Sequence, residues 1–312
     1  MAATRALTVL TLQHGRELAF GEFGDPAGIP LIAFHGTPGS NLQIGLCDAV
    51  ARANGVHLIA PDRPGYGHST YDSNRHLVDW PRDVSELADV LGFARFGVVG
   101  VSGGGPHAAV CAHALGPRLL GAAIVSGIAP PDTPGVHDGM MAVNRMNFAL
   151  ARQSQLFALP LMAAMFFFIR HFPERALATM GRGMPEPDRS IFARREIVDV
   201  LIKETKYSSP TTARAAAQDF ALFARPWGFR LEDIEVPVHV WHGDVDANVP
   251  VLHGRSQADR IPNGKLHLCP GEGHWLFIEH AAEILRIASG RVPGERRSDV
   301  EAPSINFCPS ND

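Results

Sequence analysis

The sequence predicts an α/β fold: a mostly parallel central sheet with helices on both faces and a helical segment inserted late in the chain. Short apolar runs at residues 31–34, 57–60, 97–101, 122–125, 238–241 and 265–268 recur between helix-like stretches. Strands that are apolar on both faces are those of a parallel sheet covered on each side. Over residues 130–230 this alternation stops and only helix-like stretches follow one another. The expected layout is a core of residues 1–129 and 231–290, a helical cap of residues 130–230, and a tail of residues 291–312 whose Pro, Ser, Glu and Arg content predicts disorder.

The elements can be justified in chain order. Arg5 to Phe23 alternates apolar and polar residues on both sides of His14-Gly15, the pattern of an antiparallel hairpin at a sheet edge. Trp80, Val84, Leu87, Ala88 and Leu91 repeat at helical spacing, with Pro81 suited to a first turn and Gly92 to the position past the end. Pro106 to Leu115 is small or apolar throughout, so that helix is expected to be buried, with Gly116 closing it. In the cap, residues 139–155 and 211–224 read as helices. Leu156 to Ile169 is apolar almost all round and is expected to bury more than one face.

Composition narrows the function classes. With 46% hydrophobic and 19% charged residues and a net charge of -4, the chain has the balance of a globular protein with a sizeable core. Its Lys and Arg residues are scattered, so the totals give no electrostatic footprint for nucleic acid or an anionic membrane, and a small-molecule partner is expected. The four cysteines form no CxxC pair, and the fifteen histidines show no zinc-ligand spacing, so a reduced protein without metal or cofactor is the expectation. The N-terminal run is broken by Thr8 and Thr11 and lacks a signal-peptide core, which predicts a cytoplasmic location. The apolar run at 156–169 contains Pro160 and falls short of the ~20 residues a membrane-spanning helix needs. Oligomeric state has no signature in the sequence.

The chemistry is carried by separated motifs. Gly100-Val101-Ser102-Gly103-Gly104 follows an apolar strand and precedes a buried helix, the context in which a strained turn presents a serine nucleophile. Serine needs a base for its proton, and the base needs an acceptor to hold its tautomer. Trp241-His242-Gly243-Asp244-Val245-Asp246 and Gly271-Glu272-Gly273-His274-Trp275 each follow a late strand and offer these partners in the order Ser, Asp, His. Ser102, Asp246 and His274 are therefore the candidate catalytic residues. Asp132, after the strand ending near Ser126, is the rival acid; Asp244 is read as a loop residue. His35-Gly36-Thr37-Pro38-Gly39-Ser40 directly follows the first parallel strand, where a second oxyanion donor belongs. The backbone N–H groups of Thr37 and Gly103 are the candidate donors, and His35 is read as structural.

These motifs, with Pro61-Asp62-Arg63-Pro64-Gly65-Tyr66-Gly67-His68-Ser69 and the run Gly243 to Pro250, resemble the α/β-hydrolase superfamily, in its lidded esterase, epoxide-hydrolase-like and C–C-hydrolase-like branch. The resemblance covers about Leu12 to Gly290, except the cap. It implies the α/β-hydrolase fold, a Ser102–Asp246–His274 triad and a structural role for Asp62 to Ser69. The pattern Gly-x-x-Asp-x-x-Val-Pro, matched by Gly243, Asp246, Val249 and Pro250, selects Asp246 over Asp244. Epoxide hydrolases and haloalkane dehalogenases carry Asp where this chain has Ser102, which removes their chemistry. Thr37, where proline iminopeptidases typically have a second Gly, weakens that reading.

The expected activity is hydrolysis of a small, neutral, hydrophobic ester through an acyl-enzyme. The alternatives are cleavage of a C–C bond in a β-diketone-like substrate and a ligand receptor with vestigial hydrolysis. Because the cap roofs the nucleophile, Met162, Phe166 and Phe167 are the candidate substrate-binding residues, contributing ~0.8 kcal/mol for each buried CH₂ of substrate. The competing reading of the same run is packing of the cap against the core.

Overall fold

A computed structural model of the chain describes residues 7–207 and 211–291. The expectation of a disordered tail over residues 291–312 lies, but for Arg291, outside the described residues. Among the described residues there is one sheet of eight strands: β1 (Thr8–Thr11), β2 (Glu17–Gly24), β3 (Ile29–Phe34), β4 (Val56–Pro61), β5 (Phe96–Val101), β6 (Leu119–Val125), β7 (Val238–Gly243) and β8 (Gly264–Cys269), ordered β1-β2-β4-β3-β5-β6-β7-β8. The hairpin β1–β2 is antiparallel, turns at Gly15 with φ +85°, and joins the sheet through an antiparallel β2–β4 pairing; the other pairings are parallel.

Successive side chains on a strand point to opposite faces, and the two cores follow from that. Ile32, Phe34, Ile59 and Val98 join Trp80, Val84 and Leu87 on one face, while Leu31, Ala33, Leu58, Ala60, Val99 and Val101 join Ala51, Ile284 and Leu285 on the other. Each fully buried Leu, Ile or Phe contributes about 1.5–3 kcal/mol relative to an exposed one. One departure concerns β8. It is an edge strand, and Leu266 and Leu268 are exposed there, so the covering seen on the inner strands is incomplete.

The core helices are α1 (Asn41–Ile44), α2 (Asp48–Ala53), α3 (Trp80–Val90) and α4 (Gly105–Ala114). Gly92, at φ +74°, takes the left-handed position after α3. α4 is buried from Gly105 to Ala112, as its composition predicts. Between β6 and β7 come α5 (Ala142–Gln153), α6 (Gln155–His171), α7 (Pro173–Arg182), α8 (Glu186–Phe192), α9 (Arg195–Tyr207) and α10 (Thr212–Phe223), the helical insertion. After it come α11 (Leu252–Arg260) and α12 (Ala281–Ala288). Within the insertion α6 packs against α5 and α10, and α9 packs against α1 of the core. Ser154 caps α6 by accepting the Leu156 N–H at 3.2 Å. Contrary to the expectation that α6 buries more than one face, Leu156, Phe157, Phe167 and Phe168 are exposed.

Candidate active site

Ser102 sits between β5 and α4 at φ +55°, the left-handed region that costs a non-glycine residue about 1–3 kcal/mol. The turn closes only because its neighbours lack side chains. A Cβ on Gly100 would lie 2.1 Å from the Gly104 carbonyl oxygen, and one on Gly104 would lie 2.2 Å from that of Phe34. His107, buried in α4, tethers the turn by donating Nδ1–H to the Gly103 carbonyl at 3.0 Å.

Asp246 follows β7 and His274 follows β8, and the parallel pairing of Gly243 with Cys269 sets their loops side by side. His274 Nδ1–H donates to Asp246 Oδ2 at 2.8 Å. Asp246 Oδ1 accepts the N–H groups of Asn248 at 2.8 Å and Val249 at 2.9 Å, which fixes the carboxylate. With Nδ1 protonated against Asp246, Nε2 carries the lone pair. Burial pulls the His274 imidazole down, but the Asp246 charge and hydrogen bond, with the Asp188 charge, outweigh it and hold it above its ordinary value. Burial pushes Asp246 up, and His274 outweighs that, leaving the carboxyl below its ordinary value.

The rival acid falls away on geometry. Asp132 is two-thirds exposed and paired to Arg260 at 2.8 and 3.1 Å. Asp244 accepts the Gly271 N–H at 2.7 Å, as a loop residue does.

The Gly36–Thr37 loop lies beside the serine: a Cβ on Gly36 would be 3.5 Å from Ser102 Cβ, and one on Gly103 would be 2.2 Å from Thr37 Oγ1 and 3.1 Å from Thr37 N. Behind it stands a buried ionic cluster. Arg63 Nη2 donates to the Gly36 carbonyl at 3.1 Å, Thr37 Oγ1 at 2.7 Å and Asp219 Oδ2 at 2.8 Å, and Nη1 donates to the His35 carbonyl. Asp219, on α10, also accepts from Thr37 Oγ1 at 2.9 Å, Tyr66 at 2.7 Å and Arg75 at 2.5 Å. His35 is structural: its Nδ1–H donates to the Gly36 carbonyl at 2.9 Å and its Nε2 accepts the Arg63 N–H at 3.1 Å. In the same run, Asp62 is buried and bonded to Asn41 at 2.7 Å and Tyr207 at 2.6 Å.

Ser102 and His274 open into one cavity of about 450 Å³. Phe166 and Phe167 line it, with Leu177, Met184 and Phe192. Met162 does not. It is 1% exposed and belongs to the core with Phe148, Ala158 and Phe220, because its position on α6 faces α5 and α10; its assignment to substrate is corrected to packing.

Two residues of the helical insertion that stand at the site were not read from the sequence. Asp188, buried on α8, accepts the N–H groups of His274 at 3.0 Å and Trp275 at 2.9 Å. Glu204, on α9, lines the cavity and accepts Ser40 O–H at 2.7 Å; burial pushes it up to about 7, the Ser40 bond opposes this and the Asp62 charge adds to it. Nothing local marks either one. Asp219 did carry a signal, a lone acid inside Thr212–Phe223, and buried charges require partners. Among the described residues, no group of three or more His, Cys, Asp or Glu is arranged to hold a metal ion.

A family model of the alpha/beta hydrolase fold matches residues 29–281. The chain belongs to the α/β hydrolases. This α/β hydrolase is 27% identical over 287 residues to the poly(3-hydroxyalkanoate) depolymerase of Ectopseudomonas oleovorans, covering 90% of each chain. It is 27% identical over 248 residues to the 2-hydroxy-6-oxo-6-phenylhexa-2,4-dienoate hydrolase of Burkholderia cepacia, covering 75% of this chain and 76% of that one. Among solved structures, an esterase from Thermogutta terrifontis superposes with TM-score 0.63 at 21% identity, over 90% of this chain and 96% of that one, a likeness of fold.

Proposed function

We propose that this α/β hydrolase is a serine esterase that works through an acyl-enzyme on neutral substrates with an apolar acyl group. The observation that carries the reading is that His274, bonded to Asp246 at 2.8 Å, opens into the same cavity as Ser102. In this reading Ser102 Oγ attacks the ester carbonyl carbon as its proton passes to His274 Nε2, and Asp246 stabilises the imidazolium without taking the proton. The negative charge on the carbonyl oxygen falls to the backbone N–H groups of Gly103 and Thr37, each such donor being worth roughly 3 kcal/mol of barrier. The imidazolium proton goes to the leaving alkoxide. Water then adds to the acyl carbon, giving its proton to His274, and Ser102 leaves with that proton as the acid is released.

Phe166, Leu177, Met184 and Phe192 support the preference for an apolar acyl group. The value of kcat/KM for p-nitrophenyl esters is expected to climb from acetate to hexanoate, and Phe166→Ala to flatten the climb. Acetate as the best substrate, or preference for a charged acyl group, overturns the assignment. A second reading, C–C bond hydrolysis of an acidic β-diketone-like substrate, is favoured by Arg170 on the cavity wall and by the activity named for the Burkholderia relative. Turnover of such a diketone faster than of p-nitrophenyl hexanoate would select it.

A further inference from the structure

The face of α6 turned away from α5 and α10 is apolar from end to end. Leu156, Phe157, Pro160, Ala163, Ala164, Phe167 and Phe168 recur at three- and four-residue spacing and are all exposed, Phe157 at 56% and Phe167 at 61%. A helix apolar on both sides is stable in water only when both sides are covered. The patch continues through the exposed Phe172, between the two helices, to the exposed Met180 on α7, which meets α6 at a bend of 119°. Ala163, Phe167 and Met180 also line the cavity, so the patch is its rim.

Charge selects the occupant. Residues 155–182, the α6–α7 pair, carry three arginines, Arg170, Arg175 and Arg182, against one acid, Glu174, while the whole chain is net -4. All three are exposed, and none forms an ion pair among the described residues. A twofold self-association through this face would set arginines against arginines, because a symmetric dimer apposes the same patch to itself. An anionic amphiphilic surface meets both features, taking the aromatic side chains between its chains and the arginines at its head groups. We propose that the α6–α7 face of the cap docks on an anionic lipid surface, with the cavity mouth turned toward it. The totals that argued against membranes in the sequence conceal this because the acidic residues lie elsewhere. No single helix of the described residues is long and apolar enough to cross the membrane alone, and α6 and α7, which together have the length and composition, are bent by 119°; the contact proposed is therefore a peripheral one.

The test is co-sedimentation of the full chain with sucrose-loaded vesicles of equimolar phosphatidylglycerol and phosphatidylcholine, beside vesicles of phosphatidylcholine alone. The chain is expected to sediment with the anionic vesicles, to lose most of that binding in high salt, and to bind the neutral ones several-fold less. Phe157→Ser with Phe168→Ser is expected to weaken binding roughly tenfold or more. Neither side chain lines the cavity, so hydrolysis of dissolved p-nitrophenyl butyrate by that variant should match the parent, which also shows that it folds. Absence of binding to anionic vesicles, or equal binding by the double variant, overturns the proposal. So does a parent dimer in sedimentation equilibrium that the same double variant dissolves, since the face is then covered by a second copy.

Discussion

Asp188, on α8 of the helical insertion, holds the backbone N–H of His274 at 3.0 Å through a carboxylate that is itself buried. The insertion is thereby tied to the loop that carries the imidazole. Asp188→Ala is expected to lower kcat by up to ~100-fold, because small misplacements of a reacting group cost on that scale. Its distinguishing readout is the His274 ionisation followed by NMR. The Asp188 charge helps raise it, so the variant should titrate lower than the parent. An unchanged titration together with unchanged kcat leaves Asp188 no role in positioning.

The same linkage gives the pH dependence of turnover. His274 must be neutral to accept the serine proton, and its protonated form is stabilised above the ordinary value, so kcat/KM should rise through an ionisation lying above ~6.5. Asp246→Asn removes the main raising influence, and the His274 titration should fall in that variant. A profile flat between pH 5.5 and 8.5 removes His274 from the role of base.

Glu204 adds a second ionisation in the cavity, at about 7. Below it the carboxyl is neutral and above it charged, so KM for a neutral ester should increase as pH rises through 7 while kcat follows His274. Glu204→Gln is expected to abolish the KM change and leave the kcat profile in place. Persistence of the KM change in that variant assigns it to another group.

The strands, the core helices α3 and α4 and the Ser102, Asp246 and His274 positions were legible because their signals are local. Apolar runs mark the inner strands, and a strained turn writes its glycines next to its serine, as Gly100, Gly103 and Gly104 do. Asp188 and Glu204 were not legible as site residues, and Asp219 signalled only that it needed a partner, because their partners lie far along the chain, as in the 156-residue separation of Arg63 from Asp219. Periodicity identified α6 as a helix but misjudged its environment. A pattern apolar all round states that both faces need cover, without stating that this chain supplies it, and so Met162 proved to be core while Phe157 proved to be surface.

Stability should depend on the cluster behind the Thr37 loop. Burial pushes Asp219 up, but Arg63 and Arg75 outweigh it and hold the carboxyl far below the ordinary carboxylate range. A depressed folded value contributes stability fully above the unfolded value of ~3.9, and the contribution is lost as pH falls below that. Asp219→Ala leaves two buried guanidinium groups without their shared partner and is expected to cost about 3–5 kcal/mol in urea unfolding at pH 7. The difference between parent and variant should narrow as the pH falls below 4. A loss under 1 kcal/mol at pH 7 contradicts the assignment.

The central claim is that Ser102 is the nucleophile. Incubation with a fluorophosphonate, followed by peptide mass spectrometry, tests it most directly, since the reagent reacts with a serine whose proton has an acceptor. One phosphonate per chain is expected on the peptide containing Ser102. Modification should be orders of magnitude slower in His274→Ala and absent from that peptide in Ser102→Ala. Phosphonate on a different serine of the parent, or labelling at the parent rate in His274→Ala, contradicts it.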